Sequence, residues 1–116
     1  MKILITGGSG FIGNSILEKL KSSSYQVLSL SRRNINNSKN IQWIKCNLSK
    51  KKSYQNEIKK FQPDILIHLS WDKIPDFSKK ICDQNLKDSI NLFHYVFANT
   101  NCKKIIVSGS CFEYSN

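Results

Sequence analysis

Lys2-Ile-Leu-Ile-Thr-Gly-Gly-Ser-Gly-Phe-Ile-Gly13 decides the fold. Ile3, Leu4 and Ile5 make an apolar run of strand length that ends at Thr6. Glycines follow at positions 7, 10 and 13, and a helical pattern of apolar residues begins at once. The stretch therefore predicts a strand, a tight turn and a helix. In such a unit Gly7 lets the chain reverse out of the strand, Gly10 keeps side chains away from the turn's backbone amides, and Gly13 lets the helix lie close on the strand. The first helical turn then offers unpaired N–H groups and the positive end of the helix dipole to an anion. Thr6, Gly7, Gly8, Ser9, Gly10, Phe11, Ile12 and Gly13 are the candidate anion-binding residues.

Working outward, Ile12, Ile16, Leu17 and Leu20 keep helical spacing over Phe11 to Lys21, and Ser22-Ser23-Ser24 ends the helix. Gln26 to Ser31 reads as a second strand, which completes a βαβ unit with a right-handed crossover. A glycine triplet that follows a strand, opens a helix and leads to a second strand points to the diphosphate of a dinucleotide. Ile41 to Cys46 is a third strand. Ser49 to Phe61 reads as a basic amphipathic helix with Tyr54, Ile58 and Phe61 inward, and Ile65 to Ser70 as a central strand buried on both faces. After a loop from Asp72 to Phe77 broken by Pro75, Ser78 to Asn99 is a long helix with Ile81, Leu86, Ile90, Phe93, Val96 and Phe97 on its buried side. Lys104 to Ser108 is a fifth strand. This alternation predicts an α/β, Rossmann-like doubly wound parallel sheet in the order 3-2-1-4-5, with helices on both faces and the fifth strand at an uncovered edge. Residues 1–116 are expected to form one domain.

With Thr6 in front and Phe11-Ile12 inside, the Gly-x-x-Gly-x-x-Gly spacing resembles the extended short-chain dehydrogenase/reductase superfamily, in particular its nucleotide-sugar epimerases and dehydratases. The resemblance implies the amino-terminal, NAD(P)-binding portion of an enzyme that passes hydride between a sugar ring and a nicotinamide. In that superfamily the end of the second strand meets the adenosine ribose. Ser31-Arg32-Arg33, without a nearby acid, suits the 2′-phosphate of NADP better than the free hydroxyl of NAD. NADP is therefore the expected cofactor and NAD the alternative; the bland reading of Arg32 and Arg33 is loop charge. Asn47-Leu48 stands where the family has Asp and an aliphatic residue at the adenine edge, and a turn residue capping the next helix is an equal reading of Asn47. His68-Leu69-Ser70-Trp71 resembles the His-Leu-Ala-Ala element beside the cofactor, although a histidine in an apolar strand reads first as a satisfied core residue. Asn85-Leu-Lys-Asp-Ser89 is similar to Asn-Val-x-Gly-Thr, with Asp88 and Ser89 in place of the small pair. Ser108 to Tyr114 resembles the Ser-Ser-x-x-x-Tyr-Gly element, which implies Ser110 as the catalytic hydroxyl that holds the substrate oxygen.

The family's acid/base pair, Tyr-x-x-x-Lys, is not among these 116 residues: no tyrosine has lysine four positions later. The expectation is a chain that binds a dinucleotide without turnover, with a nucleotide-sugar substrate belonging to the complete enzyme. A non-catalytic dinucleotide-binding or interaction module is the rival from another class, and a superfamily reductase acting on a non-sugar carbonyl is a second enzyme reading. The formal charge of +10, from 18 basic and 8 acidic residues, is scattered without aromatic-basic interleaving or helix-turn-helix spacing, so no nucleic acid partner is expected. Cys46, Cys82, Cys102 and Cys111 form no metal-ligand or disulfide pattern, so no metal is expected. Without a signal peptide or an apolar run of spanning length, a cytoplasmic protein that does not engage membranes is expected. By analogy with the family, the helix from Ser78 to Asn99 is a homodimer surface.

Overall fold

The computed structural model describes residues 1–71 and 76–108. Its strands are β1 (Lys2–Thr6), β2 (Gln26–Ser31), β3 (Ile41–Lys45), β4 (Ile65–His68) and β5 (Lys104–Val107). Its helices are α1 (Phe11–Leu20), α2 (Gln55–Phe61), preceded by a 3-10 turn at Lys51–Ser53, and α3 (Lys79–Asn99). All the strand pairs are parallel and the order is β3-β2-β1-β4-β5, as the sequence predicts.

Side chains alternate across a strand, so each strand feeds two cores. On one face Ile3, Ile5, Val27 and Ile41 close around Leu17 of α1. On the other, Leu4, Leu28, Leu30 and Leu66 meet Ile58 of α2 and Leu92 and Val96 of α3. Helices thus cover both faces, and parallel strands buried this way read as the near-continuous apolar runs seen at 3–5 and 65–67. The edge strand β5 is the exception: Ile106 and Val107 are about half exposed. No described helix is long and apolar enough to cross a membrane.

Three local expectations are corrected. The helix foreseen from Ser49 starts late, because Asn47 Oδ1 accepts the Ser49 N–H at 2.9 Å and the Ser53 hydroxyl bonds back to the Asn47 and Lys50 carbonyls. Those side-chain bonds offer the backbone an alternative to the helix, and only a 3-10 turn forms before Gln55. In α1, Ile12 is 58% exposed and does not join the inward stripe, because the first turn stands clear of the sheet and burial begins at Gly13 and Leu17.

In α3, Asn85, Leu92 and Val96 are buried, while Leu86, Ile90 and Phe97 are exposed. At 3.6 residues per turn the exposed three form a second stripe, about a third of a turn away from the first. The expected buried side had merged the two. This makes a direct comparison possible. Leu92→Ala should lower unfolding stability by about 2–5 kcal/mol, whereas Leu86→Ala should change it by less than about 0.5 kcal/mol. Urea midpoints at constant m-value read both, and equal losses would contradict the orientation of α3.

Candidate functional site

The strands end together, and at their C-terminal ends lies an open cleft of about 450 Å³. Its first wall is the glycine turn. Gly7 has φ 72°, a left-handed value that a side chain would strain. Gly13 packs so tightly that an added Cβ would be driven into the Gly7 carbonyl and 2.6 Å from Gly8 Cα. That contact brings the start of α1 to the strand end. Gly10 is the N-cap, no side chain caps it, and the first turn holds no acid, so its amides face the cleft without a carboxylate competitor. A turn of this kind can hold a phosphate through backbone N–H groups.

The floor is a buried polar chain linking β1, β4 and α3. Thr6 Oγ1 receives the Leu69 and Ser70 N–H groups at 3.1 and 3.3 Å and the Ser70 hydroxyl at 3.1 Å. Its own proton is thereby directed to His68 Nδ1, 2.7 Å away. The ring then carries its proton on Nε2 and donates to Ser89 Oγ at 2.8 Å, a tautomer assigned from these partners. Phe93 closes the ring edge-to-face at 5.2 Å. Burial pushes His68 down to about 4, so it is a neutral core residue at physiological pH, in keeping with its apolar strand. Cys46 also lines the cleft, but burial lifts its thiol to about 11, which leaves it unreactive.

The far end is built from β2, β3 and α3. Ser31 ends β2 and Arg32 follows it, Asn47 and Leu48 come after β3, and Asn85 and Asp88 face them from α3. Asn85 is buried and donates through Nδ2 to the Ile81 carbonyl at 3.0 Å. Asp88 accepts from Ser49 Oγ and from Gln84 Nε2, each at 2.8 Å, and so ties the β3 end to α3.

Of the candidate residues the cleft gathers Thr6, Gly7, Ser9, Gly10, Phe11, Ile12, Gly13, Ser31, Arg32, Asn47, Leu48, His68, Leu69, Ser70 and Asn85. Two stand apart. Gly8 is buried under α1, where a Cβ would lie 2.9 Å from Leu17 Cδ1, so it is a packing position. Arg33 does not line the cleft and meets Ser31 Oγ through its backbone N–H. Ser110 and Tyr114 lie outside the described residues, as does most of the Asp72 to Phe77 loop. The candidate set did not include Leu30, Cys46, Ser49, Trp71, Asp88, Ser89 or Ser108, which also line the cleft. For Asp88 the signal was present, because three residues after Asn85 on a helix is the same face. No described group of His, Cys, Asp or Glu could hold a metal ion.

Residues 3–116 match the model of the NAD dependent epimerase/dehydratase family. The chain is 30% identical to a bifunctional UDP-glucose 4-epimerase and UDP-xylose 4-epimerase from Pisum sativum, over 97% of this chain and 37% of the relative. It thus spans little more than a third of that protein's length. Among solved structures, it resembles a short chain dehydrogenase from Leptospira borgpetersenii with bound NAD+, at 26% identity and TM-score 0.66, covering 84% of this chain and 44% of that one. It also shares its fold with a UDP-glucose 4-epimerase from Thermotoga maritima with UDP-glucose, at 22% identity and TM-score 0.78, covering 95% of this chain and 38% of that one.

The buried histidine gives the site a pH signature. With its pKa lowered from 6.5 to about 4 in the fold, the unfolded chain takes up a proton first as pH falls. His68 thus withdraws stability progressively from about pH 6.5 down to about 4, to a total of about 3 kcal/mol. Urea midpoints measured across that window should fall more steeply for the wild type than for His68→Gln. Parallel profiles would mean that His68 does not titrate in this way.

Proposed function

The chain belongs to the NAD dependent epimerase/dehydratase family, and from that premise we propose that residues 1–116 are the dinucleotide-binding portion of a nucleotide-sugar epimerase, dehydratase or reductase. The observation that carries this reading is the single cleft that joins the uncapped α1 amides to the β2 end at Ser31-Arg32 and the β3 end at Asn47-Leu48. Those are the places where a diphosphate, a ribose and a base would fall in sequence along a doubly wound sheet. The size also suits, since small-molecule clefts run from roughly 300 to 1,000 Å³.

In this reading the amides of Phe11 to Gly13 in the first turn of α1 hold the diphosphate, while the Gly10 N–H closes the turn on the Gly7 carbonyl. Arg32, the only cation among the cleft's described residues, takes the 2′-phosphate of NADP through charge-assisted hydrogen bonds. Leu69 and Ser70, fixed to Thr6, carry the backbone past the ligand's second half. When bound, the nicotinamide supplies the hydride acceptor and donor. Ser110 would hold the sugar oxygen. The 116 residues contain no Tyr-x-x-x-Lys pair for the proton, so we expect them to bind the dinucleotide without turning it over.

Titration calorimetry with NADP and NAD tests this. Wild type should bind NADP more tightly, and Arg32→Ala should weaken NADP by roughly ten- to a hundredfold while leaving NAD nearly unchanged. Failure to bind either nucleotide would refute the dinucleotide reading. Equal weakening of both would refute the 2′-phosphate role of Arg32.

A further inference from the structure

Asp88 is the only carboxylate among the cleft's described residues, and its bond from Ser49 Oγ ties it to the β3 end of the cleft, two strands from the glycine turn. Building on the dinucleotide reading above, we propose that Asp88 is the residue that selects adenine, by accepting a hydrogen bond from its exocyclic amine.

Position supports this first. The β3 end lies two strands from β1, roughly 10 Å at the usual strand spacing. A base attached through a ribose to a phosphate at the glycine turn falls at that end. Leu30, Cys46 and Leu48 give the end apolar walls, as a flat aromatic ring requires, while Asn47, Ser49 and Asp88 supply its polar rim.

Hydrogen-bond accounting supports it next. An amine donor needs an acceptor, and Asn47 has one of the two lone pairs of its amide oxygen taken by the Ser49 N–H. Asp88 has capacity to spare: a carboxylate offers about four acceptor sites, and here Ser49 Oγ takes one on Oδ2 and Gln84 Nε2 one on Oδ1. No described lysine or arginine pairs with it. The same two bonds fix the carboxylate's orientation before any ligand arrives, which removes part of the ordering cost of binding. A base with a carbonyl in place of the amine would set an oxygen against this carboxylate and be rejected.

The test compares NADP with its hypoxanthine counterpart, which has a carbonyl where adenine has the amine. Wild type should bind the adenine form at least about tenfold more tightly. Asp88→Asn, whose amide can turn either group to the ligand, should bring the two affinities to within about threefold. Ser49→Ala loosens the carboxylate's mooring but keeps its charge, so it should weaken both forms and preserve the preference. A wild-type ratio near one, or an unchanged ratio in Asp88→Asn, would overturn the role of Asp88 while leaving dinucleotide binding intact. Binding of neither form overturns the dinucleotide reading and this assignment with it.

Discussion

The close approach of α1 to β1 at Gly13 is the constraint on which the rest of the structure depends. The helix and the turn that leaves β1 touch through backbone atoms alone there, since any Cβ on Gly13 would occupy the place of the Gly7 carbonyl and crowd Gly8. That contact sets the height of α1 over the sheet, and Leu17 then reaches Ile3, Ile5 and Val27 one turn further on. It also fixes where the helix begins. A larger residue would lift the first turn away from the strand end, and the amides that line the cleft would move with it. Packing on the inner face and ligand geometry on the outer edge are thus one requirement on one residue.

Directly beside that contact the core changes from apolar to polar. Burying a hydroxyl or an imidazole without partners is costly, yet Thr6 and His68 are both almost fully enclosed. The expense is offset because the chain from Ser70 through Thr6 and His68 to Ser89 leaves each buried atom with a partner. Such a chain is directional, and its members have fixed donor and acceptor roles. It therefore holds the end of β4 and the middle of α3 in one relative position, which apolar packing alone specifies less sharply. The two cleft walls that α3 and β1 provide are registered to each other through His68.

How much of this the sequence discloses depends on the physics behind each feature. The parallel order and the β1-turn-α1 unit were legible, because strand length, glycine spacing and helical periodicity are local signals that tertiary contacts reinforce. The orientation of α3 was not. Its apolar residues occupy two stripes, and only the neighbouring sheet decides which of them is covered. Leu92 faces the sheet, while Leu86, Ile90 and Phe97 do not. The delayed start of α2 turned on side-chain bonds from Asn47 and Ser53, and their competition with helix formation becomes visible only when the partners are in place. Arg32 and Arg33 are adjacent in the sequence and equivalent in composition. Both follow the last residue of β2, where the chain bends, and the bend leaves only Arg32 lining the cleft while the Arg33 N–H turns back to Ser31 Oγ.

The high positive charge of the chain takes on a narrower meaning against this site. Of 18 basic residues, Arg32 alone is among the described residues lining the cleft, and the lysines of the helices are largely solvated. Lys21, Lys60 and Lys79 form short-range pairs with acids on their own helices or at their ends, and exposed pairs of that kind contribute at most about 1 kcal/mol. At physiological salt a surface charge is screened over about 8 Å, so the scattered lysines raise the local concentration of anions without distinguishing among them. Discrimination has to come from groups held in place. In the proposed reading those are uncharged backbone amides at the helix start, one arginine just after β2 and one carboxylate anchored on α3. Each sits on a different part of the fold, and the carboxylate is held by Ser49 and Gln84.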